Sequence, residues 1–85
     1  MLTTNTYTRQ FIVHCPNNGI PILYTFSLTT DGERIPVEDI VMATTSIREG
    51  FHEVIADVLY ERFGGHQTLR AFHHGVDIET IRDGA

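Results

Sequence analysis

The sequence predicts one α+β domain of order β-β-α-α-β-β: a four-stranded antiparallel sheet with both helices on one face. Residues 22–30 alternate. Ile22, Tyr24, Phe26 and Leu28 fall on one side and Leu23, Thr25, Ser27 and Thr29 on the other, the pattern of a half-buried strand. Residues 51–62 repeat at helical spacing instead, with Phe51, Val54, Ile55, Val58 and Leu59 on one stripe that the stem of Arg62 extends. Strand-like runs lie towards both ends of the chain, and 85 residues leave room for a single domain, 1–85.

In chain order, residues 7–14 are rich in aromatic and β-branched side chains and form the first strand. Two prolines, two asparagines and a glycine fill residues 16–21, which is turn chemistry. The second strand, 22–30, therefore returns beside the first as a hairpin and ends at Asp31-Gly32. Pro36 suits the first turn of a helix, where its missing N–H costs nothing, and Val37, Ile40, Val41 and Thr44 follow at helical spacing. Thr44, Thr45 and Ser46 weaken that helix, and Gly50 interrupts it before the second one. Gly64-Gly65 ends the second helix as a left-handed cap. Residues 68–73 and 76–82 are two short strands turned at His74-Gly75, and residues 1–6 and 83–85 are expected to be loose ends.

Such a sheet needs cover on its outer face and has open edges. Joining sheets between subunits meets both needs, so a homo-oligomer is expected. A formal charge of -5 argues against a nucleic-acid partner, which calls for a basic face. No apolar run reaches membrane-spanning length, and the N-terminus has no basic-then-apolar leader pattern. One free thiol suits a reducing compartment, so a cytoplasmic location without membrane contact is expected.

Cys15, the only cysteine, stands where the first strand breaks into Cys15-Pro16-Asn17-Asn18-Gly19-Ile20-Pro21. It has no partner for an internal disulfide. It reads either as a small buried hydrophobe or, partly exposed with a lowered pKa, as a nucleophile. Glu53, in the first turn of the second helix, complements the helix dipole and has two oxygens able to accept a pair of N–H donors. His14 points away from Cys15 in a regular strand, His66 follows the cap and reads as exposed, and only one of His73 and His74 can face a given site. Cys15, His52 and one of that pair could make a three-ligand zinc site, but the spacings match no metal motif and no metal is expected. Asp31, Glu33, Glu38 and Asp39 read as a solvated cluster complementing the first helix.

Cys-Pro-x-x-Gly-x-Pro at 15–21, Phe51-His52-Glu53 at the second helix, and Gly75-Val76-Asp77-Ile78-Glu79 in the last strand follow in this order on this frame. Together they resemble the 7-cyano-7-deazaguanine (nitrile) reductase family of the tunnelling fold, across roughly Phe11 to Arg82. The resemblance implies a tunnelling-fold subunit with sites at subunit interfaces. It implies a cysteine that adds to the substrate's nitrile carbon as a covalent thioimide, an aspartate for proton transfer, and a Phe-His-Glu segment that holds the base. It also implies a lysine-containing helix motif for NADPH. Matched position by position, Cys15 falls on the nucleophile and His52 and Glu53 on the substrate-binding pair. Cys15 and His52 are thus the catalytic candidates, and Glu53, Phe51 and Glu79 the substrate-binding ones.

Two positions depart from that pattern. Ile22 stands where the family has its aspartate. The stretch 37–43 keeps a glutamate at Glu38 but has no lysine, and neither has the rest of the chain, whose six positive residues are all arginine. NADPH-dependent reduction at a useful rate is therefore not expected; a phosphate-bearing cofactor would depend on Arg34 and Arg48. The resemblance thus implies a deazapurine-handling protein in which Cys15 adds to the nitrile of a purine-like substrate, with ammonia addition or reduction to follow. Ammonia addition has a precedent in the related branch that makes the amidine of archaeosine in transfer RNA, although the acidic charge favours a free base here. The alternative is a non-catalytic purine- or pterin-binding or protein-interaction module, which Ile22 favours.

Overall fold

A computed structural model of the chain describes residues 2–84. β1 (Thr4–His14), β2 (Pro21–Asp31), α1 (Val37–Ser46), α2 (His52–Phe63), β3 (His66–His73) and β4 (Val76–Asp83) follow one another, and the strands form one antiparallel sheet in sequence order. Among the described residues no helix is long and apolar enough to cross a membrane.

The strands run further than their apolar patterns. Thr4, Asn5 and Thr6 pair with Asp31, Thr30 and Thr29, and Asp83 pairs with His66. Cross-strand polar contacts support these ends: the Thr6 and Thr29 hydroxyls meet at 3.1 Å, and Asn5 Nδ2 donates to the Glu33 carbonyl at 3.3 Å. Backbone pairing needs no hydrophobic side chain, so periodicity misses such segments. The expected loose ends therefore reduce to residues 2–3 and 84; residues 1 and 85 lie outside the described residues.

Both helices lie over one sheet face and enclose the core. Phe11 and Val13 of β1, Ile22, Tyr24, Phe26 and Leu28 of β2, and Leu69 and Ala71 of β3 meet Ile40 of α1 and Ile55, Ala56 and Leu59 of α2. The alternation in β2 is realised residue by residue. The helical stripes are only half used, because Phe51, Val54 and Val58 stay exposed at 54%, 55% and 47%, as do Val37 and Val41 on α1. One sheet face beneath one helix covers a narrow ridge; periodicity names the residues of a stripe but not which part of it meets the sheet. Pro36 and Phe51 act as N-caps, one residue before the first turns expected to hold them.

The exit from α2 is tightly specified. Gly64 and Gly65 both have positive φ, 62° and 70°, and the Gly64 N–H donates to the Tyr60 carbonyl at 2.8 Å. Buried Gln67 donates from Nε2 to the carbonyls of Leu59 (3.1 Å) and Gly64 (2.7 Å), which ties the start of β3 to the last turn of α2. A Cβ on Gly65 would sit 2.9 Å from the Thr29 carbonyl oxygen and 3.1 Å from Leu28 Cδ1, whereas one on Gly64 meets nothing within 4 Å. Gly65→Ala is therefore expected to cost roughly 2–4 kcal/mol, positive-φ strain plus a backbone clash, and Gly64→Ala, at φ 62° and ψ -147° where few residues but glycine sit, about 1–3 kcal/mol from strain alone. Urea denaturation of the two variants side by side checks the difference.

The β3–β4 hairpin turns on His74-Gly75, both with positive φ (52° and 79°), a two-residue turn whose twist suits antiparallel strands. The sheet's other face carries exposed Ile12, Leu23, Phe72 and Ile81. β1 and β4 are its edges, and near its end β1 is partly closed by the segment after α1: the His14 N–H donates to the Arg48 carbonyl at 2.9 Å, with a parallel bridge from His14 to Glu49.

Candidate functional site

The β1–β2 connection holds Cys15 at both ends of its peptide unit. Its N–H donates to the Ile20 carbonyl at 2.9 Å, and its carbonyl accepts from the Gly19 N–H at 2.8 Å. Asn18 Oδ1 accepts from the Ile20 N–H at 3.0 Å, and Gly19 takes φ 72°, so the Asn-Gly pair shapes the loop. Phe11, Val13 and Cys15 succeed one another on the side of β1 that faces the helices, so the thiol enters the core. The segment that leaves α1 then places Phe51 and His52, at the start of α2, beside it. Together with Ile22, Tyr24 and His73, these side chains line a cavity of about 40 Å³.

The polar atoms around this cavity lack protein partners. Both ring nitrogens of His52 and Nε2 of His73 are buried with no hydrogen bond. An unpaired buried polar atom costs about 1–3 kcal/mol, and most proteins carry few of them. All three belong to residues that line this one cavity, where a water or a polar ligand group would satisfy them. The His52 ring lies 5.4 Å from the Tyr24 ring, centroid to centroid, inclined at 33°. Burial pushes the His52 pKa below the ordinary imidazole value. The Leu69 backbone pulls it back weakly without closing a hydrogen bond of good geometry, Glu53 also raises it, and Arg82 lowers it. Burial, and then Cys15 beside it, raises the Tyr24 pKa. His52 therefore enters the folded protein neutral and able to accept a proton.

Neutral His52 has a consequence for stability. Its folded pKa lies below the unfolded value of about 6.5, so between the two the unfolded chain binds more protons. Stability is expected to be fully present above pH ~6.5 and to decline as pH falls from there towards the depressed folded value. Urea midpoints from pH 7.5 down to 5 check this, with His52→Gln giving the flatter profile.

Of the residues singled out from the sequence, Cys15, His52 and Phe51 come together, with Phe51 half-exposed at the rim. Of the two readings of Cys15 the buried one is realised: the residue is 5% exposed, with Pro16 of the hairpin loop and the start of α2 around it. Glu53 is exposed and outside the lining, one residue beyond His52 on the helix. Glu79 does not line this cavity. It pairs in register with Arg70 on the uncovered sheet face, and their side chains form an ion pair at 3.5 Å. Ile22, where the resemblance calls for an acid, is buried in the cavity wall and supplies no proton.

Tyr24 is an addition, and of His73 and His74, one of which was expected beside Cys15 and His52, it is His73 that lines the cavity. Tyr24 was legible, since it follows Ile22 by two on the same strand face. His73 required the register: Ala71 pairs with Tyr24, and His73 follows Ala71 on the same side. His74 turns outward, its ring 4.1 Å from that of His73 and its Nε2 3.4 Å from Asn18 Nδ2. His66 is exposed as expected and pairs with Asp83 at 3.2 Å. Among the described residues, no three His, Cys, Asp or Glu side chains are arranged to hold a metal ion.

The fold is similar to that of one solved structure, the archaeosine synthase QueF-Like in the apo form. The TM-score is 0.72 over 99% of this chain and 94% of that one, at 19% sequence identity, so the similarity is one of fold. No protein-family model and no curated protein matches the sequence.

Proposed function

We propose that this chain is a deazapurine-handling protein whose Cys15 adds to the nitrile of a purine-like ligand. The observation that carries the reading is the cavity itself: a thiol and three unpartnered imidazole nitrogens around about 40 Å³. That space is too small for a purine but suits a linear nitrile, leaving the ring system to lie outward across exposed Phe51, with Glu53 on the same helical turn to accept N–H donors. Fold similarity to an archaeosine synthase supports it, as do the motifs at 15–21 and 51–53.

In this reading a His52 ring nitrogen takes the Cys15 thiol proton as sulfur attacks the nitrile carbon. One C–N π bond breaks, one C–S bond forms, and His52 passes the thiol's proton on to the nitrogen, so the thiol has added across the nitrile with no redox change and the imidazole is neutral again. Ammonia then displaces the thiol and leaves an amidine. Ammonia is preferred to hydride because Ile22 replaces the acid, the chain has no lysine, and neither Arg34 nor Arg48 lines the cavity. A second copy of the chain, docked over the exposed ridge of Phe51, Val54 and Val58, would complete the base pocket and bring the homo-oligomer with it.

Intact-mass analysis with 7-cyano-7-deazaguanine, ammonia omitted, tests the reading. Gain of the full ligand mass supports it. Binding without any adduct favours the second reading, a non-catalytic base-binding module, to which the burial of Cys15 and the apolar Ile22 both lend weight. Glu53→Gln sets a donor against a donor and is expected to weaken binding about thirtyfold or more, with Glu61→Gln unchanged; calorimetry reads both. No binding at all rejects both readings.

A further inference from the structure

We propose a second binding site, for a phosphate-bearing small molecule, in the cleft between the open edge of β1 and the C-terminal end of α1. The cleft measures about 490 Å³, within the range of small-molecule sites, and Arg9, His14 and Arg48 line it with no carboxylate among its walls. It shares no lining residue with the Cys15 cavity.

The argument rests on how the arginines are used. The chain has eleven carboxylates for six arginines, so each arginine could be paired. Arg70 pairs with Glu79 and Arg82 with Asp57, and Arg62 lies over the Phe63 ring, 5.8 Å from its centre. Among the described residues Arg9, Arg34, Arg48 and Arg62 form no ion pair, and of these four Arg9 and Arg48 line this cleft together. Glu49, next to Arg48, is exposed and outside the lining.

Arg9 is held through its side chain and Arg48 through its backbone. Arg9 donates from Nε to Thr44 Oγ1 at 3.3 Å, and Thr44, fully buried, donates in turn to the Ile40 carbonyl at 2.8 Å. That fixes the guanidinium while leaving its Nη groups without a protein partner. The Arg48 backbone is pinned to β1 through its carbonyl, which accepts the His14 N–H. Two guanidiniums suit the oxygens of a phosphate, which each can engage in a bidentate manner. Exposed Ile12 and Leu23 in the same walls give an organic ring an apolar surface, which favours a phosphorylated nucleoside over a bare anion. In a protein of charge -5, two arginines in a cleft without carboxylates give the local positive potential that an anion needs.

Adenosine 5′-monophosphate and adenosine serve as probes, titrated into the isotope-labelled protein and followed by amide NMR. The monophosphate is expected to shift the amides of residues 9–14 and 44–48 and to bind at least about tenfold more tightly than adenosine. Arg48→Ala, an exposed position, should weaken it about tenfold, while Arg34→Ala, the same change of net charge elsewhere, should leave it unaltered. Equal affinity for the two probes, equal loss in the two variants, or no shift of these amides at millimolar monophosphate overturns the proposal.

Discussion

Cys15→Ala protein mixed with 7-cyano-7-deazaguanine is expected to keep its own mass, while wild-type protein gains the mass of one ligand per chain. The effect is all or none, because sulfur supplies the only bond between protein and ligand. Alanine leaves the hairpin loop intact, since the residue's hydrogen bonds, to Ile20 and from Gly19, are made by its backbone. Base binding should therefore survive in Cys15→Ala, which separates loss of chemistry from loss of fold. His52→Gln should still form the adduct but about a hundredfold to ten-thousandfold more slowly, the usual contribution of a positioned proton acceptor. Rates of mass gain for the three proteins, beside calorimetric binding, decide the matter. A normal adduct rate in His52→Gln would remove the histidine from the mechanism.

Phe26→Ala carries the largest expected loss of stability. Phe26 is 1% exposed at the centre of β2, its ring 6.3 Å from that of Phe63 on α2, so it joins sheet to helix. Truncating a buried phenylalanine costs about 3–5 kcal/mol, out of a total that for small domains is about 5–15 kcal/mol. At roughly 4–8 °C per kcal/mol for a domain of this size, the melting temperature should fall by about 12–40 °C. Phe72→Ala provides the contrast. Phe72 is 64% exposed on the uncovered sheet face, so within one chain its loss should cost less than about 1 kcal/mol. A larger, concentration-dependent loss at Phe72 would show that another copy of the chain covers that face.

What the sequence determined by itself was the kind and order of the elements and the side of β2 that enters the core. The alternation of Ile22, Tyr24, Phe26 and Leu28 suffices for that, because a strand has two faces and apolar residues on one of them must be buried together. The short motifs likewise marked Cys15 and His52, which do meet in one cavity. Tertiary structure decided the rest. Whether a helical stripe is buried along one ridge or another depends on the surface beneath it, so Val54 and Val58 point outward although their spacing matches that of Ile55 and Leu59. Glu79 and Cys15 stand on opposite sides of the sheet, and His73 joins the cavity through its register with β2; strand pairing sets both, and local sequence encodes neither. Burial of the thiol follows from the hairpin loop and the start of α2 closing over it, contacts between segments more than thirty residues apart that only the folded chain brings together.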